Sequence, residues 1–189
     1  MAEGRITQEK QALRKAQKEL RAGIPPLEKR VADEAISRTV LALPTFLEAD
    51  AVLAFYPLSD EVDLRAVFEF ALQRGVALGF PRCEGTQMRF HRVEALSDLT
   101  PGRFGILTPR ADATPITPTK NTLCLLPALA ATRDGKRLGY GGGFYDRFLA
   151  ANPCRTLLPI YHCLLLADLP TEPTDIRAQC IITEKGVLL

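Results

Sequence analysis

The sequence predicts one α/β domain over residues 1–189, in which helices flank a mainly parallel sheet in three layers. Three observations lead to this fold class. The chain has 189 residues, near the upper end of an ordinary single domain. Apolar residues make up 47% of it, which is enough for a large core. Short unbroken apolar runs alternate with amphipathic stretches, as expected where helices connect parallel strands.

Two amphipathic segments open the chain. The first predicts a helix over 7–22 with Thr7 as its N-cap, and the second predicts a helix over 27–43. Lys10 and Arg14 are four residues apart, so they project from one side of the first helix. The apolar residues expected to share a face of that helix are Leu13, Ala16 and Leu20. The other basic residues of this region are expected to form a solvated face: Lys15, Lys18, Arg21, Lys29 and Arg30.

A β-α-β unit follows the two helices. The apolar run over 51–56 predicts a strand buried on both faces, and 76–80 predicts the next strand. Between them, Asp63 is expected to cap a helix that Gly75 ends. Such a unit favours a parallel pair with a right-handed crossover.

The rest of the chain continues the alternation. Residues 87–93 alternate in polarity and predict an edge strand, whereas 97–120 predict a long loop. A helix is expected over 144–151. Further strands are predicted over 123–126, 156–161 and 180–183.

The charge balance excludes several classes of partner. The 24 basic and 22 acidic residues leave a net charge of +2, which does not indicate binding to nucleic acid or to a membrane surface. Five scattered cysteines without a Cys-x-x-Cys pair, and no recognisable signal peptide, are typical of a reduced cytoplasmic protein. A monomer is expected.

The most informative segment is 137–148, where four glycines fall within five positions between Arg137 and Asp146. Glycine lets successive amides turn inward to form an anion-binding concavity. The helix that follows would direct its free N–H groups to the same anion. The segment is neither a Walker A loop nor a Rossmann fingerprint, because it lacks both spacings. It therefore predicts a phosphate site, although a glycine-rich turn that packs a strand against a helix stays an alternative.

At this point a family resemblance can be stated. The segment Arg-Leu-Gly-Tyr-Gly-Gly-Gly-Phe-Tyr-Asp at 137–146 resembles the signature of the 5-formyltetrahydrofolate cyclo-ligase family. Other segments agree with the family in order and spacing: Lys10-Gln-Ala-Leu-Arg14, Tyr56-Pro-Leu-Ser-Asp-Glu61, Phe80-Pro81-Arg82, and Leu126-Pro127 leading to Asp134-Gly135.

The resemblance implies a ligase that uses ATP and Mg²⁺ to convert 5-formyltetrahydrofolate to 5,10-methenyltetrahydrofolate, with release of ADP and phosphate. Phosphorylation turns the formyl oxygen into a good leaving group, and nitrogen 10 then closes the ring. The task of such an enzyme is to position the reactants and to neutralise developing negative charge.

The resemblance also implies a role for individual residues. It assigns ATP binding to Lys10, Arg14, Arg137, Leu138, Gly139, Tyr140, Gly141, Gly142, Gly143, Phe144 and Tyr145. It assigns substrate binding to Tyr56, Glu61 and Arg82, and magnesium binding to Asp146 and Asp175. The segments 56–61 and 81–82 and the loop after Leu126 are all expected to leave strand ends and to meet at one cleft.

Two departures from the family pattern stand out. Gly142 occupies a position where the family often has lysine, and Gln179 occupies one where it often has a second acid near the metal, with Asp175 four residues earlier. Two other functions stay open. One is a non-catalytic relative that binds nucleotide or folate and regulates a partner, and the other is a sugar-phosphate or CoA-handling enzyme on a similar scaffold.

Overall fold

The structure, a computed structural model, describes residues 2–102 and 105–188, with side chains from residue 6 onwards. The helices of this part of the chain are α1 (Ala2–Ala22), α2 (Pro26–Ala42), α3 (Pro44–Leu47), α4 (Arg65–Gln73) and α5 (Phe144–Ala151). None of these described helices is both long and apolar enough to cross a membrane.

Seven of the strands form one central sheet. The strands in chain order are β1 (Ala51–Leu53), β2 (Ala77–Glu84), β3 (Gln87–Val93), β4 (Thr100–Pro101), β5 (Leu107–Thr108), β6 (Leu123–Leu125), β7 (Ala130–Thr132), β8 (Arg137–Leu138), β9 (Arg155–Pro159), β10 (Leu165–Leu166), β11 (Cys180–Thr183) and β12 (Gly186–Leu188). The central sheet has the order β12-β11-β9-β6-β1-β2-β3. Its five inner strands are parallel, and β3 and β12 are antiparallel at the two edges. The predicted three-layer α/β fold with a mainly parallel sheet is therefore confirmed.

The direction of winding reverses between β1 and β6. From β1 the chain passes through α4 to β2 on one side, and from β6 it passes through α5 to β9 on the other. The two helices lie on opposite faces of the sheet: Phe80 packs against Phe68 of α4, whereas Phe90, on the other face, packs against Phe148 of α5. Ligands of such sheets bind beyond the carboxyl ends of the strands at this reversal.

The core explains why the strands are short and apolar. Every residue of β1 and of β6 is buried, because helices cover both faces of the sheet. The largest buried side chains include Phe46, Phe68, Phe80 and Phe90. Burying a side chain of this size contributes roughly 1.5–3 kcal/mol, so the aromatic contacts on both faces hold the three layers together.

Helix α1 differs most from its prediction. It begins at Ala2, so Thr7 lies inside the helix and is not its N-cap. The expected apolar face is also wrong, because Leu20 is 46% exposed whereas Lys10, Gln17 and Arg21 are buried. Helix α1 therefore packs on the rest of the protein largely through polar side chains, although Leu13 of the expected face packs on a small apolar cluster that includes Leu138.

Two further predictions need correction. Pro81 and Arg82 do not leave a strand end but lie within β2, paired with Phe90 and Arg89 of β3. The missing N–H of Pro81 is tolerated there because β1 pairs with β2 only as far as Gly79. The expected loop over 97–120 contains the short hairpin β4-β5.

The sequence also left some elements unpredicted. Pro44, directly after the predicted helix over 27–43, starts the short helix α3. The loop after β6 contains β7 and β8, which form a second small sheet with β10. Strands of two or three residues are too short to show a periodicity of two, so the sequence carries no clear signal for them.

We predict that Phe68→Ala lowers the free energy of unfolding by about 3–5 kcal/mol, because it leaves a cavity between α4 and β2. Urea unfolding followed by circular dichroism measures the change. The control is Leu27→Ala, since Leu27 is 64% exposed and its loss should change stability by less than about 0.5 kcal/mol. Equal effects of the two substitutions would contradict the core described above.

Candidate functional site

Two loops that leave the strands at the reversal meet beside the sheet. One follows β1 over 54–64, and the other follows β6 and ends in residues 139–143, here called the glycine loop. They are joined by a hydrogen bond in which the Tyr140 hydroxyl donates to Glu61 Oε1. The narrow cavity that Glu61 helps to line is bounded by residues just beyond the carboxyl ends of parallel strands, including Phe55, Ala128 and Ile160. The structure thus brings together the two half-sites, namely the segment expected to bind ATP and the segment expected to bind the substrate.

The backbone of the glycine loop requires glycine at two positions. Gly141 has a φ of 99° and Gly143 a φ of 63°, both in the region that other residues rarely adopt. Gly143 also immediately precedes the first residue of α5. The glycine loop therefore leads directly into the N-terminus of α5, where free N–H groups and the positive end of the helix dipole favour an anion.

The glycine that replaces the family's lysine has a local explanation. A Cβ atom on Gly142 would lie 2.7 Å from the ring of Phe144, so a larger residue there requires the ring to move. The Arg147 guanidinium lies over the same ring, 5.1 Å from its centre, and Nη2 donates to the Gly142 carbonyl at 2.8 Å. A cationic group is thus present beside the loop although the lysine is absent.

Two basic residues of α1 reach the region of the loop. Arg14 Nε donates to the Gly139 carbonyl at 2.9 Å, and its guanidinium carbon lies 3.2 Å from where a Cβ of Gly141 would be. Lys10 Nζ lies 2.6 Å from Asp175 Oδ2 and 2.7 Å from Glu172 Oε2. Although burial opposes it, these carboxylates raise the pKa of Lys10, so the lysine is positively charged.

Asp146 lies between a buried arginine and the C-terminal segment. Arg137 Nη2 donates to Asp146 Oδ1 at 2.6 Å, and the amide of Ile176 donates to the same oxygen at 3.0 Å. The second contact brings Asp146 close to the neighbouring residue Asp175. Arg137, expected to clamp phosphates, is almost fully buried and faces Asp146 in this structure.

The carboxylates near the glycine loop suit magnesium in type and number. Mg²⁺ prefers oxygen ligands and commonly takes one or two carboxylates plus the phosphates of its nucleotide. Both hydrogen bonds that the structure gives for Asp146 end on Oδ1. Within the described residues there is no cluster of three or more His, Cys, Asp or Glu side chains that could hold a metal by itself. A metal that enters together with a nucleotide fits these residues better than a dedicated metal site.

Gln179 takes no part in this cluster of charges. Its amide oxygen accepts from the backbone N–H of Thr156 at 3.0 Å, and its own N–H donates to Thr156 Oγ1 at 2.9 Å. These bonds join the beginnings of β9 and β11, at the amino end of the sheet. Asp175, by contrast, directly precedes Ile176, whose amide donates to Asp146.

Glu61 is a buried carboxylate held from several sides. Its Oε2 accepts from the amide of Leu58 at 2.8 Å, and Arg21 Nη1 lies 3.6 Å from Oε1. The Glu61 carbonyl accepts from the Tyr161 hydroxyl at 3.0 Å. A carboxylate with a fixed orientation and a spare lone pair can accept an N–H group from a ligand.

The remaining predicted residues lie at the periphery of this arrangement or below it. Leu138 is buried in a small apolar cluster, and the half-buried Tyr145 ring packs edge-on against Phe90. Burial raises the pKa of Tyr145 well above its usual value, so its side chain stays neutral beneath the loop. Tyr56 packs against Phe80. Arg82 lies on β2, and its Nη1 atom donates to the Pro109 carbonyl at 3.1 Å. The contacts of Tyr56 and Arg82 do not join them to Glu61 in the described part of the chain.

The main residue that the sequence prediction missed is Arg21. It was expected to be solvated, yet its side chain is 3% exposed and lies against the loop that carries Glu61. A signal for it existed, because Lys10, Arg14, Gln17 and Arg21 recur at spacings of three and four along one face of α1. A polar stripe of this kind is ordinarily taken for the solvent side of a helix.

The comparison with known proteins agrees with this geometry. The profile of the 5-formyltetrahydrofolate cyclo-ligase family matches residues 6–184. The 5-formyltetrahydrofolate cyclo-ligase of Haemophilus influenzae is 26% identical over 178 residues, which cover 90% of this chain and 95% of that protein. The 5-formyltetrahydrofolate cyclo-ligase of Mycolicibacterium smegmatis is 28% identical over 184 residues, which cover 93% and 94%.

Solved structures agree as well. The NMR structure of Aquifex aeolicus 5,10-methenyltetrahydrofolate synthetase superposes with a TM-score of 0.84 at 29% identity, covering 95% of this chain and 91% of that one. The 5,10-methenyltetrahydrofolate synthetase of Mycoplasma pneumoniae, at 23% identity and a TM-score of 0.75, shares the fold. The sequence motifs, the fold and the family profile over nearly the whole length agree, and the chain belongs to the 5-formyltetrahydrofolate cyclo-ligase family.

Proposed function

We propose that the chain converts 5-formyltetrahydrofolate to 5,10-methenyltetrahydrofolate at the expense of ATP, with Mg²⁺, releasing ADP and phosphate. The observation that carries this proposal is the hydrogen bond between Tyr140 of the glycine loop and Glu61. It joins a phosphate-binding backbone to a carboxylate suited to folate in one crevice. The names of the relatives support this catalytic function over a non-catalytic regulator.

The nucleotide half of the site consists of the glycine loop and the face of α1 next to it. The amides of the glycine loop and the start of α5 bind the triphosphate, with Leu138, Phe144 and Tyr145 contributing backbone and packing. Arg14, which already lies against Gly141, and Lys10 neutralise its oxygens. Phosphoryl transfer depends mainly on such positioning and charge neutralisation.

The acidic residues beside the loop supply the metal-binding part of the site. Asp146 and Asp175 would hold Mg²⁺ when the nucleotide binds, and the ion would supply positive charge to neutralise the transferred phosphoryl group. Arg137 orients Asp146 through the 2.6 Å hydrogen bond to Oδ1. Lys10 must move part of its interaction from Asp175 to phosphate when the nucleotide binds.

The folate half of the site lies on the loop after β1. Glu61 accepts hydrogen bonds from N–H groups of the pterin, and Tyr56 offers a ring for stacking, with Arg82 further out on β2. The formyl oxygen is thereby held toward the γ-phosphate. The oxygen accepts the phosphoryl group, and nitrogen 10 attacks the formyl carbon and gives up its proton. The bond between the formyl carbon and the oxygen breaks, and the oxygen leaves as part of inorganic phosphate, which can take up that proton.

The proposal treats residues 1–189 as one domain, which the single large core supports. A cytoplasmic, monomeric enzyme remains part of it. The cytoplasmic location rests on the scattered cysteines of the sequence, which are typical of a reduced compartment.

The proposed coupling predicts that the protein hydrolyses ATP only when 5-formyltetrahydrofolate and Mg²⁺ are both present. The reason is that the phosphoryl acceptor is the formyl oxygen and not water. ADP release and the near-ultraviolet absorbance of the methenyl product, followed together, should rise in equal amounts, and chelation of the metal should stop both. Equal ATP turnover without folate would refute the coupled reaction.

Glu61→Gln should raise the KM for 5-formyltetrahydrofolate by about tenfold or more, because a hydrogen bond to a charged acceptor is lost. The affinity for ATP, measured by calorimetry, should change by less than about threefold, since the amide keeps the shape of the side chain. Glu48→Gln is a matched control, because its side chain is 67% exposed and lies elsewhere. Loss of ATP binding with folate binding retained would reverse the assignment of the two half-sites.

Asp146→Asn should slow turnover by at least about a hundredfold and weaken its dependence on Mg²⁺, because the charge that holds the metal is removed. The melting temperature should also fall, since buried Arg137 loses its charged partner, but the protein should stay folded at assay temperature.

The control for this substitution is Asp168→Asn, which removes an exposed carboxylate paired with Lys136 at 2.5 Å. It should leave the rate unchanged. If Asp146 only favours the dipole of α5, by roughly 0.3–1 kcal/mol, its substitution lowers the melting temperature slightly and leaves the rate normal. Normal rates at low magnesium would therefore remove Asp146 from the metal site and leave Asp175 as the next candidate.

A further inference from the structure

Arg21 is a buried cation that the proposed reaction does not use. It lies in the last turn of α1, where a positive charge favours the helix dipole. Its side chain is 3% exposed, although an arginine is almost never buried without a partner. The cost of removing a guanidinium from water means that its contacts must be strong and directed.

Arg21 contacts three groups that all belong to the candidate site. Its Nε and Nη2 atoms both lie 2.9 Å from Asp60 Oδ2. Its Nη1 donates to the Tyr140 hydroxyl oxygen at 2.9 Å and lies 3.6 Å from Glu61 Oε1. One guanidinium therefore binds two neighbouring residues of the loop over 54–64, which carries Glu61, and one residue of the glycine loop.

The direction of the hydrogen bonds in this cluster is fixed by charge. Tyr140 as a whole is 40% exposed, but its hydroxyl contacts buried Arg21 and buried Glu61. Loss of water around the hydroxyl, and then the negative charge of Glu61, raise the pKa of Tyr140 well above its usual value, so the phenol keeps its proton. Tyr140 accepts from Arg21 and must then donate its own proton to Glu61. The chain of donors runs from arginine to phenol to carboxylate and leaves no choice in the orientation of the Glu61 Oε1 atom.

The other oxygen of Glu61 is fixed independently. Oε2 accepts from the amide of Leu58, three residues earlier in the same loop. Rotation of the carboxylate would break this bond and the one to Tyr140 together. The remaining lone pairs of the carboxylate are thereby held in fixed directions before any ligand binds, which lowers the entropy lost on binding.

We propose that Arg21 is a positioning residue for the folate half of the site: acting through Tyr140 and Asp60, it fixes the Glu61 carboxylate in the orientation that accepts the pterin. This inference rests on the proposed function. It assigns the Tyr140 side chain to the folate half, whereas the backbone of the same residue belongs to the glycine loop. Arg21 itself does not touch the substrate.

The test compares Arg21→Gln, Tyr140→Phe and the double variant with the full-length wild type. For each protein, calorimetry measures direct binding of 5-formyltetrahydrofolate and of Mg-ATP. Steady-state assays give kcat and the KM for each of these two substrates. Arg21→Lys keeps the charge but not the planar fork of donors. Lys15→Gln is the matched control, because it removes one charge from an exposed position of the same helix.

Arg21→Gln should weaken folate binding and raise the folate KM by about tenfold to a hundredfold, the range for a lost hydrogen bond to a charged group. The KM for Mg-ATP should change by less than about threefold. Arg21→Lys should recover the melting temperature more than it recovers the folate KM. The double variant should be no worse than the poorer single variant by more than about threefold, because both substitutions act on the same carboxylate.

Three outcomes would overturn the inference while the wild type is active. They are an unchanged folate KM in Arg21→Gln, an equal rise of both KM values, and effects that multiply in the double variant. If Arg21→Gln does not fold, Tyr140→Phe decides alone, since it removes a single oxygen, and an unchanged folate affinity overturns the inference. A wild type that neither binds nor converts 5-formyltetrahydrofolate overturns the proposed function and this inference with it.

Discussion

The candidate site depends on the contact between the polar face of α1 and the loops beside the sheet. Lys10, Arg14 and Arg21 lie on this face, and Arg21 is eleven positions after Lys10, a distance of about 16 Å along the helix axis. Lys10 pairs with Asp175, which belongs to the proposed metal position, and Arg14 contacts the glycine loop. Arg21 contacts the loop over 54–64 through Asp60. Because a helix is rigid over this distance, it fixes the separation of the two half-sites. Its attachment relies on ion pairs, which contribute little unless their geometry is well defined.

The sheet explains why those half-sites are neighbours at all. Because winding reverses between β1 and β6, the loops that follow these adjacent strands diverge to opposite faces and leave a crevice between them. Glu61 enters it from one loop and Tyr140 from the other. The short, fully buried strands offer no polar groups of their own, so the chemistry lies in the loops and in the helix that covers them.

The sequence predicted what depends on local pattern. The edge strand over 87–93 and the helix over 144–151 have the predicted bounds, because both show a clear periodicity and end at turn residues. The sequence could not predict which side of α1 is buried. The polar side chains on that side are buried because they pair with Asp60 and Asp175, which are distant in the sequence. The motif residues were found by resemblance, but the burial of Arg137 depends on tertiary contacts that no spacing shows.

The charges of the site are already paired with one another, and this bears on how a nucleotide would enter. Lys10 is bound to Asp175, and Arg137 to Asp146, so each cation that suits a phosphate now neutralises a carboxylate that suits a metal. A triphosphate arriving alone would draw Lys10 away from Asp175, and a metal arriving alone at Asp175 would leave Lys10 with only one of its two carboxylate partners, Glu172. Both are costly for partly buried groups. A nucleotide that brings its metal supplies both partners at once, so the exchange keeps every charge compensated. The arrangement therefore favours the metal–nucleotide complex over either component.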